Sequence, residues 1–341
     1  MSTIVADVVV DVQYGDCGKG KVTHHLARTG KYTHVVRYNG GHNAGHTIYH
    51  EGKKYVTHAI PCGVFFGIKS VIGPGCVINP ERLLSEISEL REAGIDIDNL
   101  LMIASNAHVV TDWHLAEDGK DEAIGTTKRG NGPAYRDKYG RKGVRAEGIP
   151  LLKDYIVDVY DEFHRNQKHD VVEILFEGAQ GFGLDVDWGD YPYVTSSHCT
   201  SASAFLNGVP PSCLRNVYGV AKIYETYVGA KDFEMPETDI ANEIRRVGEE
   251  YGATTGRPRQ INWFDIDAVS KAVDINGVDK LVINKIDVLG SLVDAGDYLR
   301  VYHGDNMFSF DSMEDMTYYI EEHVGRSGEI EMLFSGDKDK I

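Results

Sequence analysis

The sequence has no excess of positive charge: its 341 residues carry 35 Lys+Arg against 52 Asp+Glu, a formal net charge of -17. A surface of that sign repels a phosphate backbone, so sequence-independent nucleic-acid binding through a basic face is excluded. Long apolar runs are missing too. The longest, Ala59 to Ile68, contains Pro61 and Gly67 and falls well short of the roughly 20 residues a membrane helix needs. Asp7 and Asp11 interrupt the N-terminal apolar run and no basic region precedes it, so export is not expected. The cysteines Cys17, Cys62, Cys76, Cys199 and Cys213 are widely spaced with no CxxC pair, which argues against zinc or a disulfide framework. Reduced thiols in a cytoplasmic protein, host cytoplasm if the source is viral, are the expectation. No repeat, low-complexity tract or Pro/Ser linker divides the chain, so residues 1–341 read as one α/β domain with insertions.

What is present is a set of apolar runs that end in polar loops. Val8-Val9-Val10-Asp11-Val12 leads into Gly15-Asp16-Cys17-Gly18-Lys19-Gly20-Lys21 and then a helical pattern. Ser70 to Ile78 meets Asn79-Pro80, an N-cap followed by proline at the first helical position, with Leu83, Leu84, Ile87 and Leu90 at helical spacing before Gly94. Val171 to Phe176 runs into Glu177-Gly178-Ala179-Gln180-Gly181, and Leu281 to Ile283 into Asn284-Lys285-Ile286-Asp287. This pattern predicts a mostly parallel central sheet flanked by helices, with a P-loop-like phosphate loop after the first strand and a site at the strands' carboxyl ends. Met313 to Val324 has helical features.

Gly15 to Lys21 fits G-x-x-x-x-G-K, in which backbone amides and a lysine meet phosphate, but Val22 stands where a P-loop has the hydroxyl that holds magnesium. A glycine-rich turn without a ligand is the bland alternative. Gly40-Gly41-His42-Asn43-Ala44-Gly45-His46 spaces two histidines as a helical zinc motif does. Its three glycines and the absent glutamate favour a loop that either surrounds a phosphoryl group or is simply solvated. Lys128, Arg129, Arg136, Lys138, Arg141, Lys142 and Arg145 form a basic cluster that suits an anion, a subunit contact or a solvated loop equally. Gly252 to Arg259 offers hydroxyls and guanidinium groups for a carboxylate. Asn284 to Asp287 has the N-K-x-D form that reads guanine in nucleotide switches. A GTP-binding regulatory protein is therefore a rival reading, yet Lys21 and Asn284 lie 263 positions apart, too far for a compact switch domain.

Taken in order, the Gly15–Lys21 loop, Gly40 to Thr47, Gly125-Thr126-Thr127 with Gly132-Pro133-Ala134-Tyr135, Phe176 to Gly181, Tyr191 to Ser196, Gly252 to Arg257, Lys285 to Asp287 and Ser335-Gly336 resemble the adenylosuccinate synthetase family. The resemblance implies a ligase that joins L-aspartate to C6 of a 6-oxopurine nucleotide through a 6-phosphoryl intermediate, driven by GTP or ATP with Mg²⁺. It implies Asp16 as the base for the purine N1 proton and a metal ligand with the Gly45 carbonyl, His46 as donor to the phosphoryl group, and Lys19 as a catalytic lysine. Gly18, Lys19, Gly20, Lys21, Lys285, Asp287, Ser335 and Gly336 would hold the triphosphate. Asn43, Thr127, Gln180, Thr195 and Val228 would hold the nucleotide substrate, and Thr254, Thr255 and Arg257 the aspartate. Arg141 resembles the arginine supplied across a dimer interface, so a homodimer is implied.

The departures gather near base and sugar. Cys17 stands where the family usually has an acidic residue. Thr226-Tyr227-Val228-Gly229-Ala230-Lys231-Asp232-Phe233-Glu234 replaces T-R-V-G-x-G-P-F-P, a segment that approaches the substrate ribose, and Pro258 and Gln260 replace arginines. These changes and the short chain, which suits the compact archaeal and phage forms alike, favour dGMP, the substrate of the phage branch. Asp16 is typical of the IMP-specific enzyme, which stays open, as does the choice of donor.

Overall fold

The computed structural model describes residues 3–120, 124–165, 170–252, 256–292, 298–325, 330–336 and 341. Among them, a nine-stranded sheet runs in the order Glu331–Ser335, Lys280–Asn284, Leu214–Lys222, Thr3–Asp11, Val171–Glu177, His34–Arg37, Lys69–Ile72, Leu101–Ala104 and Ile156–Val157. Every neighbouring pair is parallel. Thr3–Asp11 lies at its centre, which is why Ala6, Val8, Val9 and Val10 are fully buried: a central parallel strand is covered on both faces. Asp7, buried in the same strand, accepts from Tyr32, Asn216 and the Arg215 guanidinium. Burial opposes its ionisation, and the Arg215 contacts outweigh that cost and hold its carboxyl below the usual range.

The elements legible in the sequence form where their chemistry places them. Lys19–Ala27 is a helix that starts at Gly18, whose φ of 103° is left-handed. Pro80–Glu92 is a helix whose Asn79 side chain accepts from the Arg82 amide, and it buries Leu83, Ile87 and Leu90. Met313–His323 is helical behind a Ser312 cap. One expectation is corrected: Ser70 to Ile78 is not a single strand. Lys69–Ile72 belongs to the main sheet and Val77–Ile78 pairs with His108–Val109. The Gly73-Pro74-Gly75 turn separates them, with the Gly73 amide turned to the Arg37 carbonyl.

A second, four-stranded sheet of Tyr224–Tyr227, Gln260–Asp265, Arg300–His303 and Asn306–Ser309 stands beyond Lys222 and was not foreseen. It carries the segment with the departures over the carboxyl end of the main sheet. No described helix is long and apolar enough to cross a membrane. Asn79→Ala removes the acceptor for the Arg82 amide and is expected to cost about 1 kcal/mol, read as a lower urea midpoint at unchanged slope; an unchanged midpoint would show the cap to be idle.

Candidate active site

Six of the parallel strands end on a buried polar residue: Asp11, Arg37, Glu177, Lys222, Asn284 and Ser335. Each must find a partner, and each finds one in the segments that follow or overhang the strand ends, so the strand ends build the site. Lys21 donates to Asn284 Oδ1 at 2.7 Å and Ser335 Oγ at 2.8 Å, and Asn284 Nδ2 donates to the Cys17 carbonyl at 2.8 Å. The N-K-x-D segment therefore sits against the phosphate loop. Lys285, left-handed at φ 69°, sends its ammonium to the Gly248 carbonyl, and Gly336 packs on Asp287. Lys19 is buried against Asp11 at 3.0 Å.

Arg37 and Glu177 hold His46. Glu177 Oε1 lies 2.6 Å from its Nδ1, and Arg37 donates to Nε2 at 2.9 Å, so the ring is neutral with its proton on Nδ1. Burial, aided by Arg37, lowers the His46 pKa to about 4, while Arg37 and the contact with His46 lower that of Glu177 to about 2 despite its burial. His42 faces elsewhere, accepting at Nδ1 from the Asn79 amide at 3.4 Å with Nε2 3.9 Å from Glu86. Burial and His58 lower it to about 3. The glycine-rich segment is thus a loop whose two histidines do different work, and His46 opens the strand His46–His50.

Asp16 is left-handed at φ 58° and reaches Arg259, whose Nη2 and Nε lie 2.9 and 3.1 Å from Oδ2. Glu250, fully buried, anchors this cation. It accepts from Arg259, from Lys222 at 2.7 Å and from the Tyr224 hydroxyl at 2.7 Å. Asp16 opens to the cavity, and Arg259, Lys222 and Lys19 hold its carboxyl below the usual range, so it is a carboxylate at neutral pH.

A cavity of about 930 Å³ opens over these groups. Asp16, Gly18, Lys19, Gly20, Lys21, Gly45, His46, Lys285, Asp287 and Gly336 line it together with Asn43, Thr127, Gln180, Thr195, Val228 and Arg257. Asn43 Oδ1 accepts from Gln180 and Asn131, and Arg257 donates to the Gly125 carbonyl. Ser335 acts through Lys21, and Arg141, left-handed at φ 61°, is exposed away from the lining. Thr254 and Thr255 lie outside the described residues. Sequence reasoning missed Arg37, Glu177, Lys222 and Glu250. The available signal was a charge closing an apolar run, as in Phe176-Glu177.

The sequence model of adenylosuccinate synthetase matches residues 8–151 and 149–295. This chain belongs to the adenylosuccinate synthetase family. The enzyme of Leuconostoc citreum is 42% identical over 336 residues, covering 84% of this chain and 78% of its own. That of Halothermothrix orenii is 38% identical, covering 88% and 81%. The fully ligated adenylosuccinate synthetase of Plasmodium falciparum superposes with a TM-score of 0.77 at 34% identity, covering 84% and 78%. The succinoaminodeoxyadenylate synthetase of cyanophage S-2L, bound to dGMP and dATP, gives 0.69 at 24% identity, covering 93% and 99%, a likeness of fold. The chain is therefore a C–N bond-forming ligase that condenses aspartate with a purine nucleotide, in a family that uses GTP and Mg²⁺. The rival reading as a regulatory switch falls.

Burial gives this site a pH signature. An unfolded histidine protonates near 6.5, whereas folded His46 and His42 wait until about 4 and 3. Stability is complete above about pH 6.5 and is lost as pH falls, by roughly 2 kcal/mol per histidine at pH 5. Urea unfolding at pH 7 and pH 5 checks this; equal free energies would contradict the neutral assignment.

Proposed function

We propose that this chain, a single α/β domain with insertions over residues 1–341, transfers the γ-phosphoryl group of GTP to O6 of dGMP. It then displaces that phosphate with the amino group of L-aspartate. Asp16, ionised and open to the cavity, takes the N1 proton, which turns O6 into a nucleophile for the γ-phosphorus. The P–O bond to GDP breaks as the O6–P bond forms. The aspartate amine then attacks C6, loses a proton, and the phosphate departs with O6, a far better leaving group than an oxo group.

His46 donates to the transferred phosphoryl group by exchanging its Arg37 contact for a phosphoryl oxygen and taking up a solvent proton at Nε2 as the triphosphate binds. The neighbouring Glu177 carboxylate favours that charge. Lys19, Lys21 and the amides of Gly18 and Gly20 steady the phosphates. Lys285, Asp287, Ser335 and Gly336 hold the guanine of the donor, the Asp287 carboxylate accepting from N1–H and the 2-amino group. Asn43, Thr127, Gln180, Thr195 and Val228 hold dGMP, with Arg141 reaching its phosphate from the second subunit of a homodimer. Thr254, Thr255 and Arg257 hold the aspartate carboxylates.

The Asp16 carboxylate and Gly45 carbonyl are hard oxygen donors that suit Mg²⁺. Among the described residues these two would hold the ion, beside the phosphates that the same cavity lining would bind. Bound Mg²⁺ neutralises charge on the phosphates.

Tyr227 carries the choice of a deoxyribose. Where the family reads arginine, its ring packs against Tyr14 and Phe233 at centroid distances of 5.9 and 5.5 Å. Aromatic carbon then faces the sugar in place of a guanidinium, and a 2′-hydroxyl loses a partner. IMP is the second reading, favoured by Asp16, since hypoxanthine presents a carboxylate with N1–H alone, and by relatives named adenylosuccinate synthetase.

Phosphate release with aspartate and Mg²⁺, measured across IMP, dIMP, GMP and dGMP with ATP and GTP, tests the assignment. We expect the highest kcat/KM with dGMP; preference for IMP makes the departures drift. Asp16→Asn is expected to lower kcat at least about 1,000-fold while nucleotide affinity stays within about threefold, and equal loss of both counts against Asp16 as base.

A further inference from the structure

The carboxylate that organises the phosphate loop does not come from the loop. Asp11 ends the central strand, and both of its oxygens are fully engaged. Oδ1 accepts from the amides of Gln13 at 3.0 Å and Gly15 at 3.1 Å, and Oδ2 from the Cys17 amide at 3.1 Å and the Lys19 ammonium at 3.0 Å. The amides of Gly15 and Cys17 flank Asp16, and one side chain clamps both. Between them Asp16 takes a φ of 58°, a conformation that a non-glycine residue keeps only when its surroundings impose it.

The space around this carboxylate is closed. A Cβ on Gly181 would lie 2.7 Å from Asp11 Oδ1 and 2.4 Å from the Gly15 nitrogen. The Asp11 side chain is buried and so is that of Lys19. Position 17, where the family usually places an acid, holds a buried thiol that donates to Gln13 Oε1 at 3.2 Å. Gln13 in turn is fixed by both backbone groups of Lys222, accepting from its amide at 2.9 Å and donating to its carbonyl at 3.1 Å. The one carboxylate within the loop, that of Asp16, is turned to Arg259, so without Asp11 the buried Lys19 ammonium would lose its direct partner, which is costly.

We propose that Asp11 is the positioning residue of this site: from the end of the central strand it holds Asp16 toward the nucleotide and Lys19 beside the phosphates, supplying the negative charge that the family usually carries at position 17. The proposal rests on the reading of Asp16 as the base. It also accounts for the Cys17 departure, since a second carboxylate at 17 would crowd one already paired.

Steady-state kinetics on four proteins test it: wild type, Asp11→Asn, Asp11→Gly combined with Cys17→Glu, and Asp16→Asn. Asp11→Asn keeps the shape but puts an amide donor against the Cys17 amide or Lys19. Its kcat is expected to fall about 100-fold with KM for the purine nucleotide within about threefold, the split that marks lost positioning of reacting groups. The double variant moves the carboxylate from strand to loop and is expected to regain at least about tenfold in kcat over Asp11→Asn. If Asp11→Asn does not fold, the double variant decides: folded and active supports the exchange, inactive overturns it. Wild-type kcat in Asp11→Asn, or equal losses in KM and kcat, overturns the role of Asp11 even where Asp16→Asn is dead. Turnover surviving in Asp16→Asn instead sinks the base reading and this proposal with it.

Discussion

Everything in this site depends on the polar closing residues of parallel strands that have nowhere to go but up. Asp11, Arg37, Glu177, Lys222, Asn284 and Ser335 are all buried at the carboxyl ends of six strands. Left unpaired, each costs a desolvation penalty of about 1–3 kcal/mol or more. They therefore recruit Lys19 and Lys21 from the helix after the phosphate loop, His46 from the start of the strand His46–His50, and Glu250 from the segment after the helix Thr238–Gly248. Satisfying the sheet's own polar ends and assembling the reactive groups are one and the same constraint.

The consequence is a site whose side chains are aimed by backbone that no free peptide would choose. Asp16, Arg141, Gln180 and Lys285 are all non-glycine residues with positive φ, and three of the four line the cavity. Such geometry persists only where neighbours over-determine it. Here the neighbours are identifiable: Asn284 seated on the Cys17 carbonyl, Arg259 on the Asp16 carboxylate, and Glu250 beneath both Arg259 and Lys222. The electrostatics follow. Cations outnumber anions around Asp16 and keep it ionised, while His46 sits between a carboxylate and a guanidinium as a neutral ring whose charge state a bound phosphate can change.

Much of this was legible in the sequence because the signals are local. The Gly15–Lys21 loop, the Asn79-Pro80 helix start and the strand before Asn284 are each read from a few consecutive residues, and each lies where it was expected. The parallel sheet followed from runs that end in polar loops. What stayed hidden is non-local. His46 and Glu177 are 131 residues apart, and Asp16 and Arg259 are 243 apart, so no window of sequence shows that they meet. The second sheet was hidden for the same reason: Tyr224–Tyr227 pairs with Gln260–Asp265 across a helix. Ser70 to Ile78 was misread because the apolar run continues through a glycine–proline turn that changes sheets.

The account stands on O6 of the purine becoming the oxygen of the released phosphate. A single turnover with nucleotide carrying ¹⁸O at C6, unlabelled triphosphate and aspartate tests this directly, with the phosphate read by mass spectrometry. One ¹⁸O per phosphate released is the predicted result. Unlabelled phosphate, with succinylated product formed all the same, would contradict a route through the 6-phosphoryl intermediate and the placing of Asp16 at its start.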